Sequence, residues 1–136
     1  MNRVVFDTNV LVDWINSGLH EAQILQPGRV RLLSSVVEME LRAGIVSKKA
    51  QRVVNSVVAA HVKSARILCP TPSIFREAGE LLRKLSKKGS EIRRASFVND
   101  VLLAVSVRSI GATLVTRDRD FERIQNSYKF SVEFLS

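Results

Sequence analysis

The chain alternates between short apolar runs and longer stretches in which apolar residues recur at helical spacing. The short runs are rich in Val, Ile, Leu and Phe, which is typical of buried strands. They predict strands at residues 4–6, 30–33, 67–68, 112–115 and 129–134. The longer stretches predict helices at residues 10–15, 36–45, 48–63, 73–87 and 97–109. Strands separated by helices indicate an α/β fold, and we predict a three-layer sandwich with a mainly parallel β-sheet flanked by helices.

Composition narrows the class of protein. The 136 residues are 46% hydrophobic, which predicts a single folded domain over residues 1–136. The net charge of +8 favours polyanionic partners, with nucleic acid ahead of membrane surfaces. The single Cys69 excludes an internal disulfide, and we expect it to be a small core residue on a strand. No signal peptide or membrane span is evident, so a cytoplasmic location with no membrane partner is expected.

Two acidic positions follow predicted strands. Asp7 comes directly after the apolar run 4–6, and Asp118 comes shortly after the run 112–115. In open α/β sheets, the carboxyl ends of the strands form the edge where ligands bind. Each acid could instead cap the next helix, since Asp is a good N-cap residue. Asp120 is close enough to Asp118 to take its place.

Two further acids lie on apolar helix faces. Glu40 falls between Val37 and Leu41 on the inner stripe of its predicted helix, and Asp100 is the only acid in the apolar run 97–107. A carboxylate on an inner face is costly to bury unless a partner compensates its charge. The partner could be an arginine in a buried ion pair. Asp13, by contrast, points away from the apolar face of its helix and is expected to be solvated.

Taken together, the four acids indicate a metal site. Clustered carboxylates repel one another and become protonated unless a cation neutralises them. Oxygen ligands alone suit Mg²⁺ or Mn²⁺ rather than zinc.

The ordered set of these motifs resembles the PIN domain, of the kind found as the toxin half of VapBC toxin–antitoxin pairs. The matching residues are Asp7-Thr8-Asn9-Val10 after the first strand, Glu40-Leu41 on an early helix, Asp100 on a late apolar helix, and Thr116, Asp118 and Phe121 after a strand. The resemblance covers essentially the whole chain. It implies a metal-dependent endoribonuclease that hydrolyses phosphodiester bonds in RNA with Mg²⁺ or Mn²⁺.

The resemblance also implies roles for individual residues. Asp7, Glu40, Asp100 and Asp118 would be the acidic quartet, both catalytic and metal-binding, and Thr116 would be its polar companion. Thr8, Asn9 and Asp120 are supporting candidates. Many toxin members carry Asn at the position of Asp118, so the need for this fourth acid stays open. The implied partners are an RNA substrate, a cognate antitoxin protein and a second copy of the chain in a homodimer.

The same residues allow other interpretations. A stand-alone PIN-type nuclease in RNA processing would carry the same residues. A haloacid-dehalogenase-type phosphatase needs an acid two positions after Asp7, where Asn9 stands. A non-catalytic RNA-binding domain would gain nothing from buried acids. His20 and His61 are expected to be surface residues. The positive surface for RNA would come from Lys48, Lys49, Arg52, Arg83, Lys84, Lys87, Lys88, Arg93 and Arg94.

Overall fold

A parallel five-stranded sheet forms the centre of the molecule. The computed structural model describes residues 2–86 and 94–136. The strands are β1 (Asn2–Phe6), β2 (Arg29–Ser34), β3 (Ile67–Leu68), β4 (Thr113–Thr116) and β5 (Ser131–Phe134). Their order is β3-β2-β1-β4-β5, and every neighbouring pair is parallel. All strands therefore end at one edge of the sheet, here called the carboxyl edge.

Helices connect successive strands, as parallel pairing requires. They are α1 (Thr8–Ser17), α2 (Glu21–Ile24), α3 (Ser35–Ala43), α4 (Lys48–Lys63), α5 (Pro72–Ser86), α6 (Ala95–Ser109) and α7 (Phe121–Gln125). The predicted α/β sandwich is confirmed. The four-residue α2 is too short to show a helical period and was not predicted. The predicted helix end at Lys87 lies outside the described residues.

Burial in the core accounts for the apolar sequences of β1 and α6. Val4, Val5 and Phe6 of β1 are buried at the middle of the sheet. Helix α6 packs against β4 on one side and α5 on the other, which buries nearly every residue from Val101 to Val107. Asp100 is thus held on a helix that has little freedom to move.

Two expectations about single residues were wrong. Cys69 is exposed and lies just after β3, because that strand ends at Leu68. His20 is not a surface residue, since only 12% of its side chain is exposed and its Nε2 lies 2.9 Å from Asp13 Oδ2. Among the helices of the described ranges, none combines the length and apolar character needed to cross a bilayer.

Candidate active site

Asp7 stands at the carboxyl edge and serves two structural roles at once. It is the N-cap of α1, where its Oδ1 accepts a hydrogen bond from the Thr8 backbone N–H at 2.8 Å. Its Oδ2 accepts a second hydrogen bond from Thr116 Oγ1 at 2.7 Å. Burial raises the pKa of Asp7 from 3.8 to about 6, although the bonds from Thr116 and Thr8 oppose the rise. Nearby Glu40 and Asp118 add to it.

Glu40 reaches the same place from α3. Its Oε1 accepts a hydrogen bond from Thr8 Oγ1 at 2.7 Å. Its Oε2 lies 3.5 Å from the Nδ2 donor of Asn99 on α6. Thr8 therefore links two acids, since its backbone N–H binds Asp7 and its hydroxyl binds Glu40.

Asp100 completes the inner part of the cluster. Burial and the negative charges of Asp7, Asp118, Glu40 and Asp120 raise the pKa of Asp100 from 3.8 to about 8. Burial is the largest cause, and the four acids follow in the order given. The topology thus brings together acids from the end of β1, from α3, from α6 and from the loop after β4.

Thr116 connects the loop after β4 to this cluster. Its hydroxyl donates to Asp7 Oδ2 and accepts from the Asp118 backbone N–H at 3.0 Å. Asn9 Nδ2 is also 3.5 Å from this hydroxyl. The Asp120 N–H donates to Asp118 Oδ1 at 2.9 Å, while Asp120 itself is exposed. Of these two acids, Asp118 is the one whose position is fixed by hydrogen bonds within the loop, from its N–H to Thr116 and from the Asp120 N–H to its carboxylate.

Among residues 2–86 and 94–136, the buried ion pair considered as an alternative is not observed. In the part of the chain that the structure describes, neither Asp7, Glu40, Asp100 nor Asp118 forms an ion pair with a lysine or arginine. Within these ranges no lysine or arginine pairs directly with the four acids, although Arg94 and Arg123 line a pocket together with Asp100.

A divalent cation fits this donor chemistry. The side chains offer carboxylate oxygens only, which Mg²⁺ and Mn²⁺ accept, and hydroxyl and amide donors orient them. Within residues 2–86 and 94–136, no three such side chains are already arranged around a common metal position.

A second cluster beside the acids was missed by the sequence analysis. Asp13, expected to be solvated, accepts from Arg117 Nε at 2.6 Å and pairs with His20. The hydrogen bond from His20 and then the charge of Arg117 lower the pKa of Asp13. The Arg117 backbone N–H also donates to Asn9 Oδ1 at 3.3 Å. Helix α1 therefore contacts both the backbone and the side chain of Arg117, which lies in the loop that carries Asp118.

Comparison with known proteins identifies the family. A model described as the PIN domain matches residues 4–126. The chain belongs to the PIN domain family. Among solved structures, this PIN domain is similar to a chain of VapBC2 from Rickettsia felis bound to a promoter DNA fragment. That match has 26% identity and a TM-score of 0.76, and it covers 98% of this chain and 99% of the other.

Two further structures extend the likeness. DNA-bound VapBC from Salmonella typhimurium matches at 25% identity with a TM-score of 0.73, over 98% of both chains. VapBC-5 from Mycobacterium tuberculosis shares the fold at 20% identity with a TM-score of 0.68, over 99% of this chain and 100% of that chain. No curated protein gives a match. These findings support a VapC-type PIN domain protein and a nuclease of that toxin class.

Proposed function

We propose that this PIN domain is a metal-dependent endoribonuclease, acting in the cytoplasm as the toxin of a toxin–antitoxin pair. The observation that carries the proposal is the group of acids at the carboxyl edge, which has no protein cation within ion-pair distance in the described residues. Asp7, Glu40, Asp100 and Asp118 would hold Mg²⁺ or Mn²⁺. A bound ion of this kind lowers the pKa of a water and neutralises charge developing on the phosphate.

The neighbouring polar groups fix the positions of these acids. Thr116 and the Thr8 backbone N–H each hold one oxygen of Asp7, and the Thr8 hydroxyl holds Glu40. Such supporting hydrogen bonds determine how well a carboxylate is oriented toward an ion. Asp120 is assigned a backbone role, because its N–H orients Asp118 while its own carboxylate is exposed.

Cleavage assays with purified protein test the enzymatic part. We expect single-stranded or structured RNA to be cut in Mg²⁺ or Mn²⁺ and left intact in EDTA. Glu40→Gln should lower the rate about 100-fold or more, because metal ligation supplies several kcal/mol to the transition state. Glu80→Gln is the matched control, since Glu80 is an exposed acid on α5. Full activity in EDTA would contradict the metal mechanism.

The partners are proposed from the neighbours. VapBC-5 from Mycobacterium tuberculosis is described as a member of the VapBC family of toxin–antitoxin systems, and the other two neighbours are also VapBC structures, which supports an antitoxin for this chain as well. We also propose a homodimer. Co-expression with the adjacent upstream reading frame should give a complex that copurifies and does not cut RNA. If no such frame exists, or if its product leaves cleavage unchanged, a stand-alone nuclease is the better assignment.

A further inference from the structure

Positive charge is concentrated in one continuous part of the chain. Residues 41–76 contain seven lysines and arginines and no aspartate or glutamate. Since the net charge of the whole chain is +8, the rest of the sequence is close to neutral. The stretch includes the end of α3, all of α4, the edge strand β3 and the start of α5. This stretch of the chain therefore carries nearly all of the protein's excess positive charge.

A small pocket at the end of α4 contains part of this positive charge. Arg31, His61, Ser64 and Arg66 line the pocket together with Ala60. Arg31 comes from β2, and the other residues come from the last turn of α4 and the chain just after it. The pocket thus joins two arginines that are 35 positions apart in sequence.

An unusual backbone conformation places Arg66 there. Ala65 has φ of 56°, in the left-handed region that non-glycine residues seldom adopt. The Arg66 N–H then donates to the His61 carbonyl at 2.8 Å, and the Ala65 N–H donates to the Val62 carbonyl at 3.1 Å. This is the bonding pattern with which helices commonly end, usually with Gly at the left-handed position. Its result is that the chain turns back and leads Arg66 into β3 beside β2.

No acid of the described residues pairs with either of these two arginines. Among the described residues, neither Arg31 nor Arg66 forms an ion pair or a side-chain hydrogen bond. Most other arginines of the described chain pair with an acid or lie over an aromatic ring, as Arg29 does with Glu133. His61 also lines the pocket, and its Nδ1 donates to the Val57 carbonyl at 2.8 Å. Like charges brought together in this way favour a bound anion.

This pocket is separate from the acidic cluster. Arg31 is paired in register with Val4, three residues before Asp7 on the neighbouring strand. Three residues of strand span about 10 Å, and the pocket lies outward toward the edge strand β3. An anion held here would not contact the carboxylates.

We propose that this pocket binds a backbone phosphate of RNA outside the site of cleavage. Arginine presents a planar fork of N–H donors that matches phosphate oxygens. The surrounding stretch has no acids, and exposed Lys63 at the end of α4 adds a further positive charge next to the pocket. Positive charge that extends beyond the pocket favours a polymer with several phosphates over one small anion. The proposal extends the proposed ribonuclease function, but binding here does not require cleavage. Of the basic residues predicted to contact RNA, Arg83 is paired with Glu80, and Lys87, Lys88 and Arg93 lie outside the described residues.

Salt-dependent RNA binding tests the proposal without any cleavage. Fluorescence anisotropy of a labelled single-stranded RNA of about 20 nucleotides would be measured in EDTA across a range of KCl concentrations. Each lost phosphate contact should reduce the log–log salt slope by about 0.7, so Arg31→Gln combined with Arg66→Gln should reduce it by about 0.7, because the two arginines share one phosphate. Arg83→Gln is the control for losing one exposed arginine, and it should leave the slope nearly unchanged because Glu80 already neutralises Arg83.

Three further arms make the test decisive. The variant with Arg31→Lys and Arg66→Lys keeps both charges, so it should keep most of the slope and separates charge loss from misfolding. An unchanged slope in a Gln variant that melts like wild type would overturn the proposal. So would equal competition by poly-glutamate, which would assign the pocket to an acidic protein segment, or by inorganic phosphate alone, which would assign it to a small anion. RNA cleavage is measured in a separate assay, so the binding result can still be interpreted if the protein turns out not to be a nuclease.

Discussion

Neutralising Asp100 should stabilise the metal-free protein. The pKa of this carboxyl is raised from 3.8 to about 8 by burial and by its acidic neighbours, so the folded state binds its proton more tightly than the unfolded state does. The free energy of unfolding therefore falls as pH rises between those two values. At about 1.4 kcal/mol per pKa unit, the upper limit between about pH 5 and pH 8 is about 4 kcal/mol. Water reaching half-buried Asp100 reduces the expected loss to about 2–4 kcal/mol.

Urea unfolding measures this loss directly. In EDTA, wild type should lose stability from about pH 5 to pH 8, and Asp100→Asn should lose much less and be the more stable protein at about pH 8. Adding Mg²⁺ at about 100 times its Kd should stabilise wild type by about 2.7 kcal/mol and the variant by far less. Asp13→Asn is a matched control with the opposite expected sign, because the hydrogen bond from His20 and the charge of Arg117 lower the pKa of Asp13.

One result would refute this reasoning. If Asp100→Asn in EDTA at about pH 8 were less stable than wild type by roughly 3–5 kcal/mol, the carboxylate would belong to a structural ion pair. An absent effect of Mg²⁺ on wild type would then remove the metal site as well.

Three other changes have expected outcomes. Thr116→Val removes the hydrogen bond to Asp7 and should weaken Mn²⁺ binding, measured by calorimetry, about 10–100-fold. Asp118→Asn keeps an oxygen for the Asp120 N–H, so its RNA cleavage rate should fall less than that of Asp100→Asn; an equal or larger fall would make this fourth acid a full ligand. Ala65→Gly relieves the positive φ and should raise the free energy of unfolding by about 0.5–1 kcal/mol, whereas a loss in urea unfolding would mean that the conformation carries no strain.

The fold and the acidic cluster were predictable because their signals are local. An apolar run ending at Asp7, and single acids inside the apolar faces of α3 and α6, are visible within about ten residues of sequence. The rule that parallel strands end at one edge then brings these acids together without further information.

Features that depend on distant partners were not predictable. Asp13 reads as a solvated helix residue, yet its partner Arg117 is 104 positions away and meets it only once β4 lies beside β1. Cys69 shows the same limit at an element boundary, since a strand that ends one residue earlier places the thiol at the surface instead of in the core.

Asp7 can cap a helix and also belong to a metal site, because its two carboxylate oxygens have different partners. Capping occupies Oδ1 through the Thr8 N–H, and Thr116 holds Oδ2, so both oxygens are fixed before any ion arrives. These hydrogen bonds favour the charged form of Asp7 and offset part of the rise in pKa that burial causes, so its pKa is about 6. The pKa of Asp100 is raised further, to about 8. Near neutral pH Asp7 is therefore mostly charged and Asp100 mostly protonated. In the proposed metal site, a cation drawn to Asp7 would lower the pKa of Asp100 and release its proton, so the helix cap and the raised pKa would act together in binding that ion.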